Sequence, residues 1–262
     1  MKIIDFHTHP IMYQEQSLVM YKDAVQLDAG GFQAFLRSRG IQTFCGSVLQ
    51  PQHITTFDET WKVIKKCNDT AFRLQEYYQG KYIPGVLIHP QHVNDSVEEI
   101  DRAIQHGSNL IGEICWYIDG WEFGDSGLDE LLCYAAEKEM VLSVHPSDDD
   151  SMNATLARHH DLCIVGAHPG EWNHFFSQLE RLKRFDNYIL DISAHGIERI
   201  GSLKKLVNAI GSERIVFGSD FPSCDPIAFI ACVENDPYIT EQDKENILYR
   251  NAERILKLDG RK

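Results

Sequence analysis

His7 and His9 follow a short apolar run at the start of the chain and are separated by a single residue. Alternate side chains of a β-strand share a face, so the two imidazoles would project together, with Asp5 behind them. Neutral imidazoles that converge at a strand end form a natural site for a divalent metal ion. Such an ion lowers the pKa of a bound water towards about 7, which supplies a nucleophile at neutral pH. The spacing therefore indicates metal-assisted catalysis.

Four more side chains that bind metals close later apolar runs in the same way. They are Glu113 in Ile-Gly-Glu-Ile, His145 before a proline, His168 before a proline, and Asp220 in Gly-Ser-Asp-Phe-Pro. One such placement would be unremarkable, whereas six donors that end five separate runs are not. We therefore expect these six side chains to meet in space.

The elements that must position these donors alternate along the chain. Eight short runs rich in Ile, Val, Leu and Phe are nearly continuous in apolar character, which is typical of strands buried on both faces. We predict strands at Lys2–His7, Ile41–Leu49, Tyr82–His89, Leu110–Cys115, Val141–His145, Leu162–His168, Tyr188–Ser193 and Arg214–Asp220. Amphipathic stretches predict helices at Thr60–Tyr78, Ser96–His106, Leu128–Lys138, Trp172–Phe185, Ile197–Ile210 and Glu241–Leu256.

Eight strands that alternate with helices predict a TIM (β/α)8 barrel, built as a single domain over residues 1–262. About 250 residues are typical of this fold. A doubly wound sheet is the alternative, but it would spread the donors along an open edge. In a barrel, by contrast, the C-terminal ends of all strands face one mouth, which is where an active site lies.

Composition narrows the classes of function. The formal net charge of −14 argues against a broad electrostatic surface for nucleic acid. No run approaches the roughly 18 apolar residues of a membrane span. The predicted first strand, which leads to His7 and His9, follows Met1 at once, and a cleaved signal peptide would remove these ligands, so we predict a cytoplasmic protein. The seven cysteines include no Cys-x-x-Cys pair and are predicted to be thiols in a reducing compartment.

These motifs resemble the amidohydrolase superfamily, which starts with Asp-x-His-x-His, carries histidines on strands five and six, and ends strand eight with an aspartate. The segments 218–222 and 251–256 are similar to the amidohydrolase-related branch, known as amidohydrolase 2. The segment 111–114 is similar instead to the TatD-type deoxyribonucleases, in which the glutamate bridges two metals. The resemblance covers nearly the whole chain and rests on the motifs taken together.

The resemblance implies two metal positions at the barrel mouth. His7, His9 and Asp220 would hold one ion, and His145 and His168 would hold the other. The expected cofactor is a pair of Zn²⁺ ions, with Mn²⁺ or other divalent ions as alternatives.

The role assigned to Glu113 distinguishes a hydrolase from a decarboxylase. As a bridge between two ions, it favours a hydrolase whose activated water attacks an ester, lactone, amide or phosphoester bond of a small molecule, with Asp220 as the general base. As a partner that only orients an imidazole, it leaves the alternative open. That alternative is a non-oxidative decarboxylase of an aromatic or unsaturated acid. The resemblance implies that such an enzyme uses one metal and that His168 is its catalytic acid or base.

Three further side chains are candidates for contact with the substrate. His195 shares a face with Asp191 and Ser193 at the end of the seventh strand, although a loop histidine satisfied by backbone is an equal alternative. Trp116 and Tyr117 follow Glu113 on the loop that should overhang the pocket, where they form an aromatic wall or pack over the rim. The expected partner is a small-molecule substrate, with no nucleic acid and no membrane, and a homo-oligomer is possible.

Overall fold

The computed structural model describes residues 1–14, 24–49 and 57–258. Within these ranges, eight strands follow one another in chain order around one sheet, and each pairs in parallel with the next. They are β1 (Ile4–Asp5), β2 (Thr43–Ser47), β3 (Tyr82–Val86), β4 (Leu110–Ile114), β5 (Val141–Val144), β6 (Cys163–Gly166), β7 (Tyr188–Asp191) and β8 (Ile215–Val216). The predicted TIM barrel is confirmed.

The first and last strands are joined by backbone hydrogen bonds beyond the regular strand pairing. Phe6 N donates to the carbonyl oxygen of Phe217 at 2.9 Å, and Asp220 N donates to the carbonyl oxygen of His7 at 2.8 Å. Thr8 and Phe221 form an isolated parallel bridge further up. The barrel therefore closes at the place where the first and last predicted donors lie.

Most predicted strands extend too far at their C-terminal ends. β1 ends at Asp5, β6 at Gly166 and β8 at Val216, so several donors follow their strand instead of ending it. The physical reason is visible at His168 and Asp220, which have φ values of 63° and 62°. A residue in this left-handed region cannot continue a strand.

Helices cover the outside of the sheet. They are α1 (Ala29–Ser38), α2 (Phe57–Tyr77), α3 (Val93–Gln105), α4 (Trp116–Asp119), α5 (Ser126–Glu137), α6 (Asp149–Arg158), α7 (Trp172–Arg184), α8 (Ser202–Ile210), α9 (Pro226–Glu234), α10 (Glu241–Glu245) and α11 (Asn251–Ile255), with a π-helical turn (Asn246–Arg250) between the last two. The predicted amphipathic helices are confirmed, although α8 begins later than expected. α9 was not predicted, because its sequence is apolar on nearly every face and shows no helical periodicity.

Two apolar layers hold this arrangement together. Ile4, Leu110 and Val165 belong to a cluster inside the barrel, which residues of α11 also join. Their sequence neighbours, such as Ile111 and Ile164, belong to a second cluster packed with the helices. This alternation is the one expected of strands buried on both faces.

Two further predictions concern cysteines and membranes. The seven cysteines all lie in the described ranges and form no disulfide. Among the helices of those ranges, none combines the length and the apolar character needed to cross a membrane.

Candidate metal centre

The first group of donors meets where β1, β4 and β8 reach the barrel mouth. His7 Nε2 lies 3.1 Å from His9 Nε2 and 3.1 Å from Glu113 Oε2. Asp220 Oδ1 lies 3.3 Å from His9 Nε2 and 3.7 Å from His7 Nε2. Four side chains that are far apart in sequence therefore place donor atoms around one small volume.

Glu113 links this group to the remaining two histidines. Its other oxygen, Oε1, lies 3.3 Å from His145 Nδ1 and 3.8 Å from His168 Nε2. The Glu113 side chain is only 3% exposed, so its charge is shielded from water by these rings. The structure thus brings all six predicted donors together, with Glu113 between the two sets.

Hydrogen bonds at the outer edges of two rings fix which nitrogen faces inward. His9 Nδ1 lies 3.0 Å from the carbonyl oxygen of Ser47, and a carbonyl can only accept, so Nδ1 donates. His7 Nδ1 donates in the same way to Asp191 Oδ2 at 2.5 Å. In their neutral forms both rings therefore turn unprotonated Nε2 atoms towards each other. Two lone pairs at 3.1 Å repel, and a cation between them would remove that repulsion.

The spacing of the donors also fits a metal ion. Metal–ligand bonds of about 2.0–2.2 Å place neighbouring ligand atoms about 3.0–3.5 Å apart. The distances from His9 Nε2 to its three neighbours are 3.1–3.3 Å. Among the described residues, three overlapping sets of donors satisfy the spacing of a metal site: His7, His9 and Asp220; His7, Glu113 and His168; and Glu113, Cys115 and His145. The residues present therefore fit a divalent cation.

The charges of the site act on one another strongly. Burial alone would lower the pKa of His7, but the carboxylates of Glu113 and Asp191 raise it well above its usual value. Burial alone would raise the pKa of Glu113, but the charge of His7 and the hydrogen bond to His145 hold it well below its usual value. Burial acts on Asp220 as on Glu113, but His9 and His7 lower the pKa of Asp220. The negative charges that attract a proton to His7 would attract a metal ion equally.

The backbone of two site residues is held in an unfavourable conformation. The positive φ values of His168 and Asp220 cost on the order of 1–3 kcal/mol each for residues other than glycine. The hydrogen bond from Asp220 N to the His7 carbonyl is one of the contacts that holds this conformation. Strain of this kind is concentrated at functional sites.

Two polar residues at the end of β7 support the donors from below. Asp191 Oδ2 accepts from His7 and also from the Ser193 hydroxyl, at 2.7 Å. The sequence places both residues on one face of the seventh strand but assigns them no role. Gly218 leaves room for this arrangement, because a Cβ atom there would lie 2.1 Å from Asp191 Oδ1 and 2.6 Å from His7 Cβ.

A cavity of about 260 Å³ opens beside His145 and His168, and His174, His195 and Arg181 also line it. His195 is exposed at its rim, with its ring 6.2 Å from that of His168. The helix α7, which the sequence pattern describes only as amphipathic, supplies the buried Arg181 to the wall.

The two predicted aromatic contacts take different positions. Tyr117 lies partly exposed with its ring 5.1 Å from that of His145. Trp116 is half-buried, packs against the core and donates from Nε1 to the carbonyl oxygen of His145 at 3.1 Å. These contacts agree with packing over the rim, and only Tyr117 presents much surface to solvent.

The family follows from a direct comparison. A family model described as amidohydrolase, Amidohydro_2, matches residues 4–258. The chain belongs to the amidohydrolase family. No curated protein sequence matches this amidohydrolase.

Solved structures with the same fold cover nearly the whole chain. The 2,6-dihydroxybenzoate decarboxylase from Rhizobium has 16% identity and a TM-score of 0.74 over 99% of each chain. The 5-carboxyvanillate decarboxylase from Sphingomonas paucimobilis has 14% identity and a TM-score of 0.70 over 98% of this chain and 99% of that one. The dihydroxybenzoic acid decarboxylase from Polaromonas sp. JS666, with bound manganese and the inhibitor 2-nitroresorcinol, has 16% identity and a TM-score of 0.75 over 98% of this chain and 97% of that one.

These comparisons correct the prediction of a hydrolase. The similar structures named above are decarboxylases, so the main prediction is wrong and its alternative is the better supported one. The prediction rested on Glu113 as a bridge between two ions, but the contacts of Glu113 with four imidazoles do not require two ions. A divalent metal is supported, with manganese in a similar structure, whereas a pair of zinc ions is not shown.

Proposed function

We propose that this amidohydrolase is a metal-dependent decarboxylase that removes CO₂ from an aromatic or unsaturated carboxylic acid without oxidising it. The observation that carries the proposal is the convergence of imidazole and carboxylate donors beside a cavity that His168 also lines. Decarboxylases of the same fold support the choice of reaction.

His7, His9 and Asp220 would hold one divalent cation, with Glu113 contacting the same volume. When bound, such an ion supplies Lewis acidity, which attracts substrate oxygens and stabilises negative charge that develops during the reaction. Manganese and zinc both accept nitrogen and oxygen donors of this kind. Decarboxylation uses no attacking water, so Asp220 is proposed here as a metal ligand and not as a general base.

His168 is proposed as the proton donor. Its ring lines the cavity, and its Nδ1 atom is anchored to Ser193 at 2.9 Å, which leaves Nε2 to face the reacting carbon. A solvent proton on Nε2 completes the imidazolium form of His168, and the carbon that bears the carboxylate takes that proton, which returns the ring to the neutral form with its proton on Nδ1. The bond to the carboxylate then breaks, its electrons return to the ring or double bond, and CO₂ leaves. His168 regains a proton from solvent, so the reaction consumes one proton per CO₂ released.

The protein loaded with manganese should release CO₂ from at least one member of a panel of hydroxylated benzoates and unsaturated diacids. His168→Gln should keep its bound metal and lose about 10²–10⁴-fold in kcat, because general acid catalysis contributes on that order. His160→Gln, at an exposed histidine outside the site, is the matched control and should behave like the native protein. Full metal occupancy with no CO₂ from any acid would contradict the proposal.

His195 and Tyr117 are proposed to contact the substrate, because His195 lines the cavity beside His168 and the ring of Tyr117 lies 5.1 Å from that of His145. The cytoplasmic location and the homo-oligomer stay predictions.

A further inference from the structure

We propose that Asp191 and Ser193 form one positioning unit that sets the tautomers of two histidines with different tasks, His7 at the metal and His168 at the substrate. The proposal rests on the proposed metal site but needs no particular reaction. The unit is fully enclosed, since the side chains of Asp191 and His7 are 0% and 1% exposed and Ser193 is buried.

The proton positions follow from counting donors and acceptors. The Ser193 backbone N–H donates to Asp191 Oδ1 at 3.0 Å, and the Ser193 hydroxyl donates to Asp191 Oδ2 at 2.7 Å. A serine has one hydroxyl proton, which this bond uses. Ser193 Oγ can therefore only accept in its other contacts: His168 Nδ1 donates to it at 2.9 Å, and His7 Nδ1 lies 3.0 Å from it and shares its proton between Ser193 Oγ and Asp191 Oδ2. His168 consequently carries its proton on Nδ1 and leaves Nε2 open.

The same carboxylate oxygen, Asp191 Oδ2, also determines the tautomer of His7. Asp191 Oδ2 accepts from His7 Nδ1 at 2.5 Å, which leaves His7 Nε2 open towards Glu113 and His9. A carboxylate behind a metal-binding imidazole fixes its tautomer and raises its basicity. Here the carboxylate of Asp191 binds His7 directly and is linked to His168 through the Ser193 hydroxyl. The same unit therefore leaves Nε2 unprotonated in both histidines.

Asp191→Asn separates this role from simple packing, because it keeps the shape and changes the protons. The backbone N–H of Ser193 still requires an acceptor, so the asparagine oxygen takes the Oδ1 position and its NH₂ group takes the Oδ2 position. That NH₂ group donates to His7 Nδ1 and to Ser193 Oγ. The serine proton then turns to His168 Nδ1, and both histidines are driven to the tautomer with the proton on Nε2.

Two measurements test this, and neither uses a substrate. In zinc-loaded protein with ¹⁵N-labelled histidine, NMR should show His7 and His168 protonated on Nδ1. In Asp191→Asn, His168 should carry its proton on Nε2, and zinc affinity from chelator competition should fall about 10–100-fold. Ser193→Ala should leave the His168 ring free to carry its proton on either nitrogen. Zinc affinity should stay within about threefold, because the 2.5 Å bond from His7 Nδ1 to Asp191 remains and only the longer 3.0 Å contact of that nitrogen with Ser193 Oγ is lost.

The matched control is Asp129→Asn, which changes an aspartate that binds a histidine, His159, at 2.9 Å on the outside of the barrel. It should alter neither zinc affinity nor the two tautomers. His168 on Nδ1 in Asp191→Asn, or equal losses of zinc affinity in Asp191→Asn and Asp129→Asn, would overturn the proposal. If Asp191→Asn does not fold, an unchanged His168 tautomer in Ser193→Ala overturns it alone. A protein that passes these tests but releases no CO₂ contradicts only the proposed function.

Discussion

The inside of this barrel has two halves that are opposite in character. In the lower half, apolar side chains such as Leu110 fill the space, and residues of α11 close it. In the upper half, the carboxylate of Glu113 lies 3.1–3.8 Å from four imidazoles. Leu110 and Glu113 belong to the same strand and are 0% and 2% exposed. Burial of Leu110 stabilises the fold by itself, whereas burial of Glu113 is tolerated only because opposite charge surrounds it.

The largest effect on metal affinity is expected from removing the charge of Glu113. Glu113→Gln removes the negative charge that contacts four imidazoles but keeps the size of the side chain. We expect metal affinity to fall by more than about 100-fold, beyond the usual effect of a residue behind the ligands, and turnover to be lost. Metal titration checks this. A variant that binds metal normally would show that Glu113 does not belong to the metal centre.

A substitution in the apolar lower half should reduce the stability of the fold and leave metal binding unchanged. Leu110→Ala removes a fully buried side chain from the inner cluster and should lower the free energy of unfolding by about 3 kcal/mol. Chemical denaturation measures the loss. The metal content per folded chain should equal that of the native protein. A fall in metal affinity would mean that the two halves are not independent.

Removal of the metal from the upper half should lower the stability of the whole fold. An ion that binds only the folded protein stabilises it by about 2.7 kcal/mol when its free concentration is 100 times its Kd. Thermal unfolding with manganese and with a chelator should therefore differ, and Leu110→Ala should show the same difference. Equal stability with and without the ion would contradict a metal site at the mouth.

At Gly218, close packing determines the position of a residue that supports the metal site. Gly218→Ala places a methyl group 2.1 Å from Asp191 Oδ1 and should displace the carboxylate that holds His7. We expect metal affinity to fall about 10-fold or more. Gly124→Ala, where a Cβ atom meets nothing within 4 Å, is the control and should leave affinity unchanged. Equal behaviour of the two alanines would show that Asp191 does not need its present position.

The smallest effect lies outside the barrel, at the pair of Asp129 and His159. The hydrogen bond from His159 holds the pKa of Asp129 below its usual value. Its contribution to stability is therefore complete above about pH 4 and is lost as pH falls through the lowered pKa. Because Asp129 is 48% exposed, Asp129→Asn should cost less than about 1 kcal/mol at pH 7, and it should cost less at pH 2 than at pH 7. Denaturation at both pH values checks this, and a larger loss at pH 2 would contradict the assignment.

The sequence predicts the order of the strands and the meeting of the six donors, because apolar runs and the polar residues after them are local patterns. It does not predict where each strand stops, since the left-handed backbone of His168 and Asp220 depends on contacts made in the folded barrel. Asp191 was visible as one of three polar residues on a strand face. Its bond to His7 was not, because it depends on how the end of β7 approaches a residue 184 positions earlier in the chain.

The closure of the barrel between β1 and β8 also sets the order of events during synthesis. His7 and His9 are synthesised before Asp220, which follows β8, so the backbone bond that joins Asp220 to His7 can form only after β8 has been made. An incomplete chain consequently exposes two histidines without the late donor. High-affinity metal binding therefore requires the closed barrel.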